Sequence, residues 1–245
     1  MSGTEIVIIL VAIGSGSLLK SITGMGVPLV AVPTISLFIG LEEAVIVTAL
    51  PNLLLNAVLA WRERSHLRST RDLPVLGSAG VVGAVLGTLL LVTVPDEPLV
   101  VLLAVAVFWY VVLFFRTPDR AIPPEVSRRW APVVGLGGGF LQGSIGISGP
   151  LVGTWIHSYR LDRQGFILSV TVLFALAGTA QLVVLVAGDE LSGLWLATLL
   201  ACGPALAAVP LGTRLRDRLS SRSFDRLIAV MLGISAVVLL VRSFG

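Results

Sequence analysis

Apolar runs long enough to cross a lipid bilayer recur along this sequence from one end to the other. A helix needs about 20 mostly apolar residues to cross the hydrocarbon core. Of the 245 residues, 56% are hydrophobic and 13% are charged, whereas soluble domains carry about 25% charged residues. Because the runs are continuous rather than alternating, they predict membrane-spanning helices and not a barrel. The predicted fold class is an all-α polytopic membrane protein.

The basic residues are confined to a few of the connections between these runs. All but two of the 17 Lys and Arg residues lie within 62–71, 116–129, 160–163 and 214–226, the exceptions being Lys20 and Arg242. The connections "GLEEA", "VPDEP" and "AGDEL" hold acidic residues and no basic ones. The positive-inside rule therefore predicts that the basic connections face the cytoplasm and the acidic ones the exterior. The basic clusters act as orientation signals, so no nucleic-acid partner is expected.

These orientations predict how the chain is threaded through the membrane. The predicted spans are two triplets of opposite direction, at about 43–61, 73–94 and 97–115 and at about 165–187, 193–213 and 224–241. Residues 131–160 begin and end on the cytoplasmic side, so we predict a hairpin of two short or broken helices that turns inside the membrane. By symmetry, residues 5–41 form the same unit. Both termini are then external, in a multi-pass protein of the cell membrane.

An internal repeat supports this threading. The stretch "LLKSITGMGVPLV" (18–30) aligns with "FLQGSIGISGPLV" (140–152), which pairs Gly24 with Gly146 and Lys20 with Gln142. We therefore predict one integral membrane domain of two inverted-topology repeats, 1–120 and 121–245. Each repeat is a broken-helix hairpin plus three transmembrane helices. Paired interruptions of this kind are typical of secondary transporters, which bind substrate at the interruptions near the membrane midplane.

Lys20 is the chain's only lysine and the only formal charge that the sequence places deep in a span. Charged residues at such depth are functional candidates, and helix N-termini freed at glycine and proline interruptions favour anions. A small anion is therefore the predicted ligand. The predicted substrate-binding residues are Lys20, Thr23, Gly24, Met25, Gly26, Asn52, Gln142, Ser144, Gly146, Ile147, Ser148 and Gly149, with Ser21, Thr48, Asn56 and Thr171 as further candidates.

The same residues also fit purely structural roles. Glycine-rich segments serve close helix packing, and membrane asparagines form hydrogen bonds between helices. Lys20 can extend its amine toward a polar neighbour. These readings stay open at the level of sequence.

The sequence contains no recognisable catalytic or cofactor-binding motif. The stretch "GLGGGF" (135–140) lacks the context of a nucleotide-binding loop, and one cysteine offers no paired-cysteine metal site. We expect no enzyme activity, no catalytic residue, no metal and no cofactor.

The segment "GMGVPLVAVP", followed by "EEAVIVTALPNLLLNAVLAWRER", resembles the sulfite exporter TauE/SafE family. The matching positions are Gly24, Gly26 and Pro33 in the first half, Gly146, Gly149 and Pro150 in the second, and Thr48 and Thr171 in the motif that follows. The resemblance implies an exporter of small sulfur-containing anions, such as sulfite or organosulfonates, that works by secondary coupling. A channel-like protein, a transporter of a different small ion and a non-transporting scaffold are the alternatives. The expected partners are a small anionic substrate and the lipid bilayer, and a coupling proton and a homodimer are left open.

Overall fold

A computed structural model describes residues 1–116 and 121–218 of the chain. The described residues form helices and connecting turns, without a β-strand. The helices are α1 (Gly3–Thr23), α2 (Val27–Ile39), α3 (Leu41–Arg62), a 3₁₀ helix (Arg64–Ser69), α4 (Leu73–Thr93), α5 (Asp96–Arg116), α6 (Pro124–Ile145), α7 (Gly149–His157), α8 (Arg163–Ala187) and α9 (Trp195–Arg218). The predicted span at 224–241 and the C-terminus lie outside the described residues.

Five helices of the described part are long and apolar enough to cross a membrane. They are Gly3–Thr23, Leu41–Arg62, Leu73–Thr93, Arg163–Ala187 and Trp195–Arg216. The predicted spans at 43–61, 73–94, 165–187 and 193–213 each coincide with one of these helices, and the span at 97–115 coincides with α5. The all-helical, multi-pass character predicted from the sequence is confirmed.

Each half of the chain begins with a long helix, a sharp turn and a shorter helix. The first pair is α1 with α2 (21 and 13 residues), and the second is α6 with α7 (22 and 9 residues). The prediction that both arms of 131–160 are short was wrong for the first arm, because α6 already begins at Pro124. The charge pattern predicts that Arg128 and Arg129 lie in a connection, whereas the structure has them in the first turns of this helix.

Close backbone contact holds α4 against α6. A Cβ added at Gly139 would overlap the carbonyl of Gly80, and one added at Gly87 would overlap the carbonyl of Phe140. Glycines at helix interfaces in membranes allow this kind of approach. The "GLGGGF" stretch is therefore a packing surface. Helix α1 packs in a similar way on α9, where Gly212 leaves room for the side chain of Ser21.

The apolar core has two main clusters, one mostly among α1, α2, α3 and α9 and one mostly among α4, α6, α7 and α8. Helix α3 contacts α2, α8 and α9, whereas α8 contacts α3, α4 and α7. The carboxylate of Asp96 caps α3 by accepting hydrogen bonds from the N–H groups of Leu41 and Glu42 at 2.8 and 3.2 Å. This contact fixes the start of α3 against the start of α5.

A polar network ties the end of α7 to α4 and α6. The Oδ2 of Asp72 accepts hydrogen bonds from the hydroxyls of Ser127 (2.7 Å) and Tyr159 (3.1 Å). The indole N–H of Trp155 donates to the Tyr159 oxygen at 2.7 Å. The guanidinium of Arg71 stacks 4.0 Å from the centre of the Tyr159 ring. The short helix α7 is thereby anchored at the end opposite to its turn.

Candidate functional site

The two sharp turns meet at one pocket in the interior of the bundle. The pocket lies between residues of α1, α2, α3, α6, α7 and α8, and its cavity volume of about 10 Å³ leaves room for about one water molecule. The lining residues are Lys20, Met25, Gly26, Pro28, Leu29, Asn52, Gln142, Gly146, Ile147, Ser148, Gly149 and Phe174. Nine of the residues predicted from the sequence are therefore brought together here, and none of the lining residues is acidic.

Lys20 places an ammonium group in this pocket. It lies one turn from the end of α1 and is 1% exposed. Its Nζ lies 4.9 Å from the centre of the Phe174 ring. In the described part of the chain no carboxylate forms an ion pair with Lys20. The amine of Lys20 is thus buried without an acid beside it.

The first turn is shaped by glycine and a hydroxyl. Helix α1 ends where Gly24 adopts a left-handed conformation (φ +83°) and donates its N–H to the carbonyl of Lys20 at 2.7 Å. Gly26 has φ +140°, and an added Cβ would lie 2.9 Å from the side chain of Leu19. The hydroxyl of Thr23 bonds to both the carbonyl and the N–H of Met25. The predicted residue Thr23 thus holds the turn, whereas Met25 and Gly26 line the pocket.

The second turn repeats this geometry. Helix α6 ends at Gly146 (φ +73°), whose N–H bonds to the carbonyl of Gln142 at 3.1 Å. The hydroxyl of Ser148 donates to Oε1 of Gln142 at 2.9 Å. The amide of Gln181, on α8, donates to the carbonyls of Gln142 and Gly143 at 3.2 and 3.3 Å. The polar side of the pocket in this half therefore consists of Gln142 and Ser148.

The N-termini of α2 and α7 both begin at the pocket. The first helical hydrogen bonds run from Val30 to Gly26 in α2 and from Val152 to Ser148 in α7. Neither helix has a side chain that caps it. The N–H groups of the first turn lie outside the helical hydrogen-bond ladder, and they carry the positive end of the helix dipole. The amine of Lys20 and the N-terminal ends of two helices thus converge on this pocket.

Several predicted residues do not line the pocket. The hydroxyls of Ser21, Thr48, Ser144 and Thr171 each bond to a carbonyl four residues earlier in their own helix, at 2.6 to 2.8 Å. Gly24 packs on Ile167 and Val170 of α8.

Asn56 also lies outside the lining. It is fully buried one turn beyond Asn52, and neither of its amide atoms has a hydrogen-bond partner within the described residues. The Oδ1 of Asn52, which does line the pocket, is also without one.

The sequence reasoning missed Phe174, Pro28 and Leu29. Phe174 stands three residues after Thr171, so it lies on the neighbouring part of the same helical face. This spacing is the one sequence feature that could have indicated Phe174 as a site residue. Phenylalanine in an apolar span is otherwise indistinguishable from a lipid-facing or core residue.

Comparison with known proteins identifies a family. The model described as sulfite exporter TauE/SafE matches residues 8–239. Searches of curated proteins and of solved structures return no match. The matched range contains both turns and every residue that lines the pocket.

Proposed function

Because the chain belongs to the sulfite exporter TauE/SafE family, we propose that it is a secondary transporter that exports small sulfur-containing anions such as sulfite or organosulfonates. The substrate class and the direction of transport are taken from the family. The observation that carries the site is the sole lysine of the sequence, which is buried in a pocket at two helix N-termini and has no acidic neighbour in the lining.

The donors of the pocket suit an oxyanion. The ammonium of Lys20 offers three N–H donors, and the amide groups of Asn52 and Gln142 can offer more. Hydrogen bonds to a charged partner contribute about 1.5–3 kcal/mol each. Met25, Leu29 and Phe174 add apolar groups to the lining, and an apolar environment strengthens electrostatic interactions. These donors suit a negative ion, and the surrounding side chains must move apart to admit one, because the cavity has room for only about one water molecule.

We further propose that the two halves of the chain are inverted repeats. The packing of the helices supports this, because α1 pairs with α9 as α6 pairs with α4. The turns support it as well. Gly24 rests on Ile167 and Val170 near the start of α8, and Gly146 rests on Val45 near the start of α3, the corresponding helix of the first half.

Helix lengths support one common depth for the two turns. At 1.5 Å per residue, α2 spans about 20 Å and α7 about 14 Å. If the N-terminus is external, α2 runs from its turn to the acidic connection on the outside of the membrane. Helix α7 then runs from its turn to the basic connection on the inside. Together they cover about 34 Å, which is close to the hydrocarbon thickness of about 30 Å. Both tips then lie at the same level inside the membrane, and access can alternate around them. Helices α1 and α6, at about 32 and 33 Å, then extend beyond the membrane surface at their N-terminal ends.

Flux in proteoliposomes tests this function. Vesicles containing the purified chain are loaded with labelled sulfite, thiosulfate or sulfoacetate, and efflux is followed for the wild type, Lys20→Met and Lys20→Arg. We expect carrier-type, saturable flux of at least one anion, a loss of about tenfold or more in Lys20→Met, and partial flux in Lys20→Arg. Thermal melting shows whether Lys20→Met is folded. Its melting temperature should not fall, because removing an unpaired buried charge leaves no other charge without a partner.

Two results would contradict the proposal. One is the absence of flux for every anion tested. The other is equal flux in wild type and Lys20→Met at equal reconstitution. Flux that does not saturate and shows no counterflow would identify a channel-like protein instead.

A further inference from the structure

The ring of Phe174 lies beneath the buried amine of Lys20 in the lining of the pocket. The residue lies on α8 and is 5% exposed, and its ring centre is 4.9 Å from Nζ. This distance is within the range of about 6 Å in which an ammonium is attracted to the negative face of an aromatic ring. Phe174 and Lys20 come from different halves of the chain, so the contact joins the two halves at the pocket.

The charge around Lys20 makes this contact unusual. A buried ammonium is ordinarily paired with a carboxylate. Here the lining has no acid, and the ion pairs of the described residues leave Lys20 out. The ring of Phe174 is the aromatic group in contact with the ammonium in this part of the chain.

We infer that Phe174 is a positioning residue that takes the place of a counter-ion for Lys20. The ring stabilises the ammonium on one side and leaves its remaining N–H groups for the anion. A carboxylate in this position would have to be displaced by each substrate, whereas a neutral ring does not compete with it. The inference rests on the proposed function, because it assigns Phe174 to the anion site described above.

Fluorinated phenylalanine separates the electrostatic role of the ring from its packing. Each fluorine withdraws charge from the face of the ring and changes its shape little. We propose to place mono-, di- and trifluorinated phenylalanine at position 174 of the full chain and to titrate sulfite and sulfoacetate calorimetrically. The expected result is a stepwise loss of affinity, of about tenfold across the series. Phe174→Leu should lose at least as much.

Phe166 provides the matched control. It lies on the same helix, packs edge-on to His157 at 6.3 Å between ring centres, and does not line the pocket. The same fluorine series at Phe166 should leave affinity unchanged. The melting temperatures of both series measure changes in packing and should change little. The anion affinity should fall only in the Phe174 series.

The possible results distinguish this inference from the proposed function. If the wild type binds none of the anions, the proposed function is contradicted and this inference with it. If binding requires Lys20 but is unchanged or becomes tighter as fluorines are added to Phe174, the anion site stands and the role of Phe174 is overturned. A graded loss at position 174 alone supports it.

Discussion

Gly24 and Gly146 end their helices in the same way. Both are left-handed, with φ of +83° and +73°, and their N–H groups bond to the carbonyls of Lys20 and Gln142. The two residues that the sequence alignment pairs, Lys20 and Gln142, therefore occupy the same position relative to the two turns. Each turn then presents one long polar side chain to the pocket.

Alanine at either glycine should weaken the protein. Side chains rarely adopt this backbone conformation, and a strained residue costs about 1–3 kcal/mol. An added Cβ would also lie 3.2 Å from Val170 at position 24 and 3.2 Å from Val32 at position 146. We expect Gly24→Ala and Gly146→Ala to lower the melting temperature and anion affinity together. Gly203→Ala is the control, because that glycine is exposed on α9 with no atom within 4 Å of the added Cβ. A melting temperature unchanged in all three variants would be inconsistent with the turn geometry.

Ser148 and Ser144 should respond differently to loss of the hydroxyl. Ser148 lines the pocket and orients Gln142 at 2.9 Å, whereas Ser144 bonds only to the carbonyl of Phe140 in its own helix. Ser148→Ala should reduce anion affinity about five- to tenfold, because one hydrogen bond of about 1 kcal/mol is lost and Gln142 is released. Ser144→Ala should leave affinity within about twofold. Calorimetric titration compares the two, and equal losses would mean that the pocket is assigned to the wrong face of the turn.

We predict that Asn56 lowers the stability of the fold and contributes to function. It is completely buried, and its amide atoms are without hydrogen-bond partners in the described part of the chain. Leucine has a similar size and removes the unsatisfied groups, so Asn56→Leu should stabilise the fold by about 1–3 kcal/mol. If Asn56 lies on the path of the anion, flux should fall in the same variant. Thr48→Val, two turns earlier on α3, is the control and should change neither property much. Lower stability in Asn56→Leu would show that its amide is structurally satisfied.

Tyr159 should ionise only at high pH in the folded protein. Burial and the negative charge of Asp72 raise the pKa of its hydroxyl from 10.0 to about 12. Because the folded protein favours the neutral phenol, the resulting stability is present below pH 10 and is lost as the pH rises through about 12. The difference in tyrosinate absorbance between wild type and Tyr159→Phe gives this titration directly.

Asp72→Asn tests the cause of the shift. The variant removes the negative charge while the burial of Tyr159 remains, so the midpoint should fall but stay above 10. A midpoint near 10 in the wild-type protein would mean that the phenol is not enclosed by this network.

Much of the architecture could be read from the sequence because its signals are local. Apolar length defined the spans, and left-handed turns at Gly24 and Gly146 follow from the ability of glycine to adopt positive φ. The depth of Lys20 followed from counting residues from the N-terminus. The start of α6 at Pro124 could not be read in the same way. Arginines in the first turns of a membrane helix look like those of a loop.

The direction in which individual side chains point could be determined only from the structure. Ser144 and Ser148 are equally polar in sequence, and only the position of the helix end at Ile145 decides which one points toward Gln142. Phe174 carries no polar signal, because its role depends on which cation its ring meets across the interface. The periodicity of a sequence does not predict contacts between helices that are distant in the chain.

The reactivity of Lys20 tests the anion site most directly, because the sequence contains no other lysine. The wild-type protein is treated with a small neutral acylating reagent with and without sulfite or sulfoacetate, and modification of Lys20 is measured by mass spectrometry. The α-amino group of Met1 is an internal control for consumption of the reagent. We predict that at least one anion slows acylation of Lys20 about tenfold or more relative to Met1. Acylation of Lys20 at the same relative rate with every anion would contradict an anion bound at this lysine.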